Sequence, residues 1–165
     1  MNKLTFILIL LSVSLLYPGC KVKKQVETTP PVSSERTQLK YLPKQLHGTY
    51  LGMPYSEFKT QRMVVPEKNP GQMDFRIEYT ESVRDGEINS ITYYFDKDNK
   101  MPLYEYIIEY VSAVKMQTWV EKAYGEPNDG TEWKFDSGEG FMIKVWTFEK
   151  KVCVAGIIKD TEWND

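Results

Sequence analysis

Few side chains in these 165 residues have the chemistry of a catalyst, and fewer still are spaced to act together. The only thiols are Cys20 and Cys153, and the only imidazole is His47. One histidine leaves no His pair and no His-rich metal site within this chain. Gly48 follows it, so His47 reads as a surface loop residue before it reads as a general base. Cys153 lies in Val152-Cys153-Val154-Ala155, an apolar run where a thiol packs as a small hydrophobe and its pKa rises. Asp96-Lys97-Asp98-Asn99-Lys100 begins like a calcium loop. Lys100 then takes the fifth position, Met101 replaces the glycine, and Ile107 stands where the twelfth-position glutamate belongs. A solvated hairpin turn is the better reading. Glu78, Glu105 and Glu109 fall on strand-like segments and could be taken for the paired carboxylates of a glycosidase. Strand alternation puts such residues on a solvent face by default. No Gly-x-Ser-x-Gly elbow, phosphate-binding glycine loop or metalloprotease helix is present. No catalytic residue, metal ligand or cofactor is expected.

Cys20 differs in its surroundings. Asn2 and Lys3 give a short, charged start, and Leu4 to Leu16 is apolar apart from Thr5, Ser12 and Ser14. That is the n-region and h-region of a secretory signal peptide. The run stops at Pro18-Gly19, short of the roughly 20 apolar residues of a transmembrane helix. No Ala-x-Ala cleavage site is available, since the first alanine is Ala113. The end of the run, Leu16-Tyr17-Pro18-Gly19-Cys20, resembles a bacterial lipobox, whose pattern is Leu, a small residue, Gly or Ala, then Cys. It agrees at Gly19 and Cys20 and departs at Tyr17 and Pro18. The resemblance implies removal of residues 1–19, a diacylglyceryl group on the Cys20 sulfur and acylation of the freed amine. Two or more chains anchor a protein stably, where one does so marginally. Lys21 is not the aspartate that retains enterobacterial lipoproteins at the inner membrane. By that resemblance the chain is expected on the outer membrane of a cell envelope.

Residues 20–45 read as the lipidated terminus and a flexible tether. Thr28-Thr29-Pro30-Pro31 and Ser33-Ser34 dominate it, and about twenty such residues reach roughly 25 Å as a coil. Lys21, Lys23 and Lys24 sit beside the anchor, where each gains about 1 kcal/mol from anionic headgroups. Loss of residues 1–19 removes Lys3 alone, leaving 21 − 1 = 20 basic against 23 acidic residues, a net of −3. From Tyr41 onward 15 basic residues face 21 acidic ones, a net of −6. That balance excludes nucleic acid as a partner on electrostatic grounds.

Residues 46–165 suit one domain with one core. Pro54 and Glu57 open a short helix near 54–62. Phe75 to Tyr79 alternates as a half-buried strand, Asp85-Gly86 is a hairpin turn, and Ile91 to Phe95 returns. After the turn at 96–100, Leu103 to Tyr110 makes a third strand. Ser112 caps a second helix that Gly125 ends, with Val114, Trp119 (or Thr118) and Val120 toward the core. Trp133 to Phe135 and Phe141 to Phe148 form another hairpin about a turn at Asp136 to Gly140. Val152 to Ile158, apolar on both faces, suits a covered strand. The fold expected is α+β: an antiparallel sheet with both helices on one face. The order α-β-β-β-α-β-β-β further invites reading as a duplicated unit.

Gly52-Met53 before a short helix, with Gly125-Glu126-Pro127 after the second, resembles the punctuation of SmpA/OmlA-type outer-membrane lipoproteins. In that family the two elements share one short module; here about seventy residues separate them. Residues 48–163 as a whole resemble spirochaete-type lipoproteins more closely. Both resemblances imply envelope scaffolding or binding. The chain also carries 22 Phe, Trp and Tyr residues, most of which must be core, with any tyrosines beyond those needed inside favoured at interfaces. Tyr93 and Tyr94 must face opposite ways in a strand, which makes Tyr94 the candidate for an exposed interaction surface. The expectation is a membrane-anchored, non-catalytic module that binds or scaffolds an envelope protein. The alternative is a tethered inhibitor or small-ligand carrier, favoured by a concave apolar pocket.

Overall fold

The computed structural model describes residues 36–62, 67–68, 73–97 and 101–164. Two short 3-10 helices, Thr37–Tyr41 and Lys44–Leu46, lead into α1 (Tyr55–Gln61). The strands are β1 (Glu67–Lys68), β2 (Arg76–Ser82), β3 (Ile88–Asp96) and β4 (Leu103–Tyr110). Helix α2 (Ala113–Tyr124) then precedes β5 (Trp133–Asp136), β6 (Met142–Phe148) and β7 (Lys151–Ile157). Six antiparallel strands, extended at one edge by the two-residue β1, form one sheet in the order β1-β2-β3-β4-β7-β6-β5. The fold is α+β, as expected. Four strands follow α1 and three follow α2, and the last strands of the two sets, β4 and β7, pair antiparallel at the centre.

Local chemistry explains the elements. Pro54 occupies the N-cap of α1, and Glu57 sits in its first turn, where a carboxylate suits the dipole. Helix α2 starts at Ser112, whose hydroxyl accepts from the Lys115 N–H at 3.3 Å, and stops at Gly125. Gly125 has φ +67°, open to glycine at little cost. In the β2–β3 turn, the Asp85 carboxylate accepts from the Ile88 and Glu87 N–H groups, which hold its pKa down at about 2.

Register assigns the faces. Tyr79 pairs with Tyr93, Tyr93 with Tyr106, Tyr106 with Val154, and Val154 with Val145, all pointing to one side. That side is the core, closed by the helices. Phe58 of α1 inserts its ring 4.8 Å from Tyr93 and 5.0 Å from Phe95. Truncating such a ring costs about 3–5 kcal/mol. On α2, Met116 and Val120 are buried. Val114, expected inside, is 75% exposed. It lies two residues from Met116, and on a helix that separation turns a side chain to another face. Trp119 is half-buried.

The boundary expected at residue 45 falls earlier. Gln38, Leu42 and Leu46 are buried, so residues 36–45 belong to the fold and not to the tether. Residues 98–100 of the expected turn at 96–100 lie outside the described residues. No helix among the described residues is long and apolar enough to cross a membrane.

Candidate functional site

A cleft of about 1130 Å³ opens between the 3-10 segment, α2 and the β2–β3 turn. Ligand sites are commonly clefts of roughly 300–1,000 Å³ with apolar walls and a few placed polar groups. Leu39, Leu42, Ile88, Trp119 and Ala123 supply the apolar wall, and Tyr110 closes it from β4.

Each wall is held firmly. The buried Gln38 carboxamide accepts the Leu51 N–H at 2.7 Å and donates to the Leu51 carbonyl and to Glu139. The Tyr124 hydroxyl donates to the Tyr41 carbonyl at 2.6 Å, tying α2 to the first 3-10 helix. Tyr41 stacks on Phe135 with ring centroids 4.1 Å apart. Behind the second 3-10 helix, the Tyr106 hydroxyl meets Thr49 Oγ1, which bonds the Leu46 carbonyl. Trp119 stands between Tyr110 and Tyr124, 6.0 and 5.1 Å from their ring centroids.

The cleft is electropositive within an acidic domain. Arg36, Lys40, Lys44 and Lys122 line it with His47, against the single carboxylate Glu87. Arg36 is committed elsewhere, paired with Glu139 at 2.7 Å and laid over the Tyr50 ring. Lys40, Lys44 and Lys122 form no ion pair among the described residues. The Tyr110 hydroxyl is buried and has no hydrogen-bond partner among the described residues. Burial, with the Glu87 and Asp85 carboxylates, pushes its pKa well up, so it stands as a neutral donor.

The other sheet face carries a second cluster. Glu162 accepts from Tyr104 at 2.6 Å and from Arg76 at 3.2 Å, and the Trp163 indole donates to Glu105 at 3.1 Å. Trp163 also meets Trp146 edge-on at 5.2 Å. The residues after β7 thus fold back across β4. Glu105 is 3% exposed beneath them, and burial raises its carboxyl to about 7. A perturbed carboxyl is a common mark of an active site, but Glu105 lines neither the large cleft nor the small hollow of about 180 Å³ beside Trp163. Its position suits a structural latch.

The residues singled out by sequence scatter. Cys20 lies outside the described residues. Tyr94 does not form an exposed surface. It is 9% exposed, on the face away from the core, between the Tyr104 ring at 6.5 Å and the Arg76 guanidinium at 4.5 Å. Burial raises its hydroxyl to about 12. Alternation was read correctly there; what hides the ring is a second layer of side chains on that face. His47 is exposed, at the end of the second 3-10 helix and on the rim of the cleft. Cys153 is buried and free, with its thiol pushed up to about 12 by burial and then by Glu105. Glu78, Glu105 and Glu109 share one face, yet Glu109 pairs with Lys150 while Glu105 is covered. No group of three His, Cys, Asp or Glu that could hold a metal occurs among the described residues. Sequence reasoning missed Gln38, Tyr110 and Lys122, which long-range packing alone brings together.

No family model matches this chain, and no curated protein or solved structure is similar to it above the level expected by chance.

Proposed function

We propose that this chain is a lipid-anchored envelope protein whose folded domain is a non-catalytic binding module, and that it binds a small ligand in the cleft beside α2. The anchor reading rests on the apolar run and Gly19-Cys20. The ligand reading rests on one observation: a large, open cleft that joins an apolar wall to a cluster of cationic side chains. The scaffold reading named Tyr94 as its surface, and Tyr94 is buried. The carrier reading therefore takes precedence.

The test is native mass spectrometry of the lipidated protein released from its own membrane. A bound small molecule, retained by wild type and lost from Trp119→Arg, supports the reading. Protein that always emerges bare, and binds nothing saturably from a membrane extract, defeats it. Metabolic labelling with an alkyne fatty acid tests the anchor separately, with incorporation abolished in Cys20→Ala.

A protein partner is the second reading. Phe148, Met142 and Trp163, all exposed, lie on or beside β6 on the sheet face away from the core. In-cell crosslinking from position 148 that returned one envelope protein reproducibly would favour it.

A further inference from the structure

We infer that the ligand of the cleft is an organic anion with an apolar body: a carboxylate or phosphate head joined to an aliphatic or aromatic chain. The inference rests on the ligand-binding reading above and deepens it.

Charge carries the argument. From Arg36 onward the chain has 17 basic and 21 acidic residues, adding Arg36 and Lys40 to the count from Tyr41. The cleft reverses this excess, with four cations to one carboxylate. Three of those cations, Lys40, Lys44 and Lys122, are exposed and have no ion-pair partner among the described residues. Lys44 also faces Asp85, and the Lys40 ammonium lies 4.7 Å from the Tyr41 ring centroid, so Lys122 is the least engaged of the three while Lys40 keeps its donors for a ligand. Lys40 is on the first 3-10 helix and Lys122 on α2, two elements that line the cleft. A head that reached both would be held by charge-assisted hydrogen bonds.

The rest of the cleft specifies the body. Leu39, Leu42, Ile88 and Trp119 offer hydrocarbon and an indole, and none can satisfy a charge. The Tyr110 hydroxyl is buried beneath this wall, sealed from solvent and without a partner among the described residues, so it offers a ligand no contact. Glu87 on the rim works against a second anionic group at that end, so one head is accommodated and not two.

The experiment is equilibrium dialysis of the full-length lipidated protein in nanodiscs of zwitterionic lipid, with empty discs subtracted. The probes are octanoate, octyl phosphate, octanol and inorganic phosphate. The two amphiphilic anions should bind saturably, and octanol and inorganic phosphate at least tenfold more weakly. Raising salt from about 50 to 500 mM should weaken the anions selectively. Lys40→Ala with Lys122→Ala should cost roughly tenfold in anion affinity and leave octanol unchanged. Octanol binding as tightly as octanoate, insensitive to salt and to the lysine pair, would overturn the anionic ligand and leave the ligand-binding reading standing. Saturable binding of inorganic phosphate as tight as that of octyl phosphate would overturn the apolar body. Failure of all four probes would overturn the amphiphilic anion, while the native mass spectrum decides the ligand-binding reading on its own.

Discussion

The side chain of Gln38 hydrogen-bonds both backbone groups of Leu51, accepting the N–H at 2.7 Å and donating to the carbonyl at 3.3 Å. One side chain thus takes the place of a neighbouring strand. It fixes the 3-10 segment, and with it one wall of the cleft, to the chain entering α1.

Gln38→Ala should therefore cost more than an ordinary polar truncation. It leaves two buried backbone groups unpaired, a loss of about 1–3 kcal/mol in chemical denaturation. Gln38→Glu should be worse at neutral pH, because a carboxylate cannot donate to the Leu51 carbonyl and would face Glu139. A Gln38→Ala protein with wild-type stability and wild-type ligand affinity would show that the segment is not held this way.

Gly138 supports the same wall from the β5–β6 turn. Its φ is +74°, and an added Cβ would lie 3.1 Å from Thr37 Oγ1 and 3.2 Å from Thr37 Cβ. Gly138→Ala combines left-handed strain with that contact and should lower stability by about 1–2 kcal/mol. Shortening Thr37 to glycine in the same chain should recover the part due to crowding and leave the strain. Full recovery, or none, would contradict this division.

Much of the fold was legible because it is written in local patterns. Ser112 and Gly125 mark the ends of α2, Asp85-Gly86 marks a hairpin, and the double-sided apolar run at Val152 marks a central strand. The site was not legible, for a physical reason. Gln38 looks like any tether glutamine until Leu51, thirteen residues on, supplies its partners. Tyr110 looks like one more core tyrosine among eleven until α2 and the 3-10 segment close around it. Tyr94 and Glu105 obey strand alternation, yet the residues after Ile157 cover that face locally. Pattern gives the direction of a side chain, and only tertiary packing decides what meets it.

Cys153 offers a direct check on the covered sheet face opposite the core. Its thiol is 5% exposed and its pKa is pushed up to about 12, so little thiolate forms at pH 8. In a Cys20→Ser chain it is the sole thiol, and it should react with an aromatic disulfide reagent only as fast as the segment after β7 lifts or the domain opens. Denaturant should accelerate that reaction by orders of magnitude. Immediate stoichiometric labelling of the native protein would place Cys153 at the surface and break the register of β7.

Glu105 makes the stability of the domain depend on pH in a defined window. Its folded pKa of about 7 lies above the ordinary 4.5, because burial disfavours the charged form and nearby Glu162 and Glu78 add to that, against the Trp163 indole and Arg76. Between those values the folded state binds more protons than the unfolded one, so stability falls as pH rises. Its contribution is whole below about 4.5, declines through the window and is lost above about 7. Glu105→Gln keeps an acceptor for the Trp163 indole and removes the titration. The variant should match wild type near pH 4 and exceed it at pH 8, by an amount on the order of 3 kcal/mol. Denaturation midpoints of the two proteins at pH 4, 6 and 8 measure the difference, in which the titrations of the other carboxylates cancel. A difference that stayed constant across the three pH values would mean that folding leaves the titration of Glu105 unchanged and that the segment carrying Trp163 does not seal it.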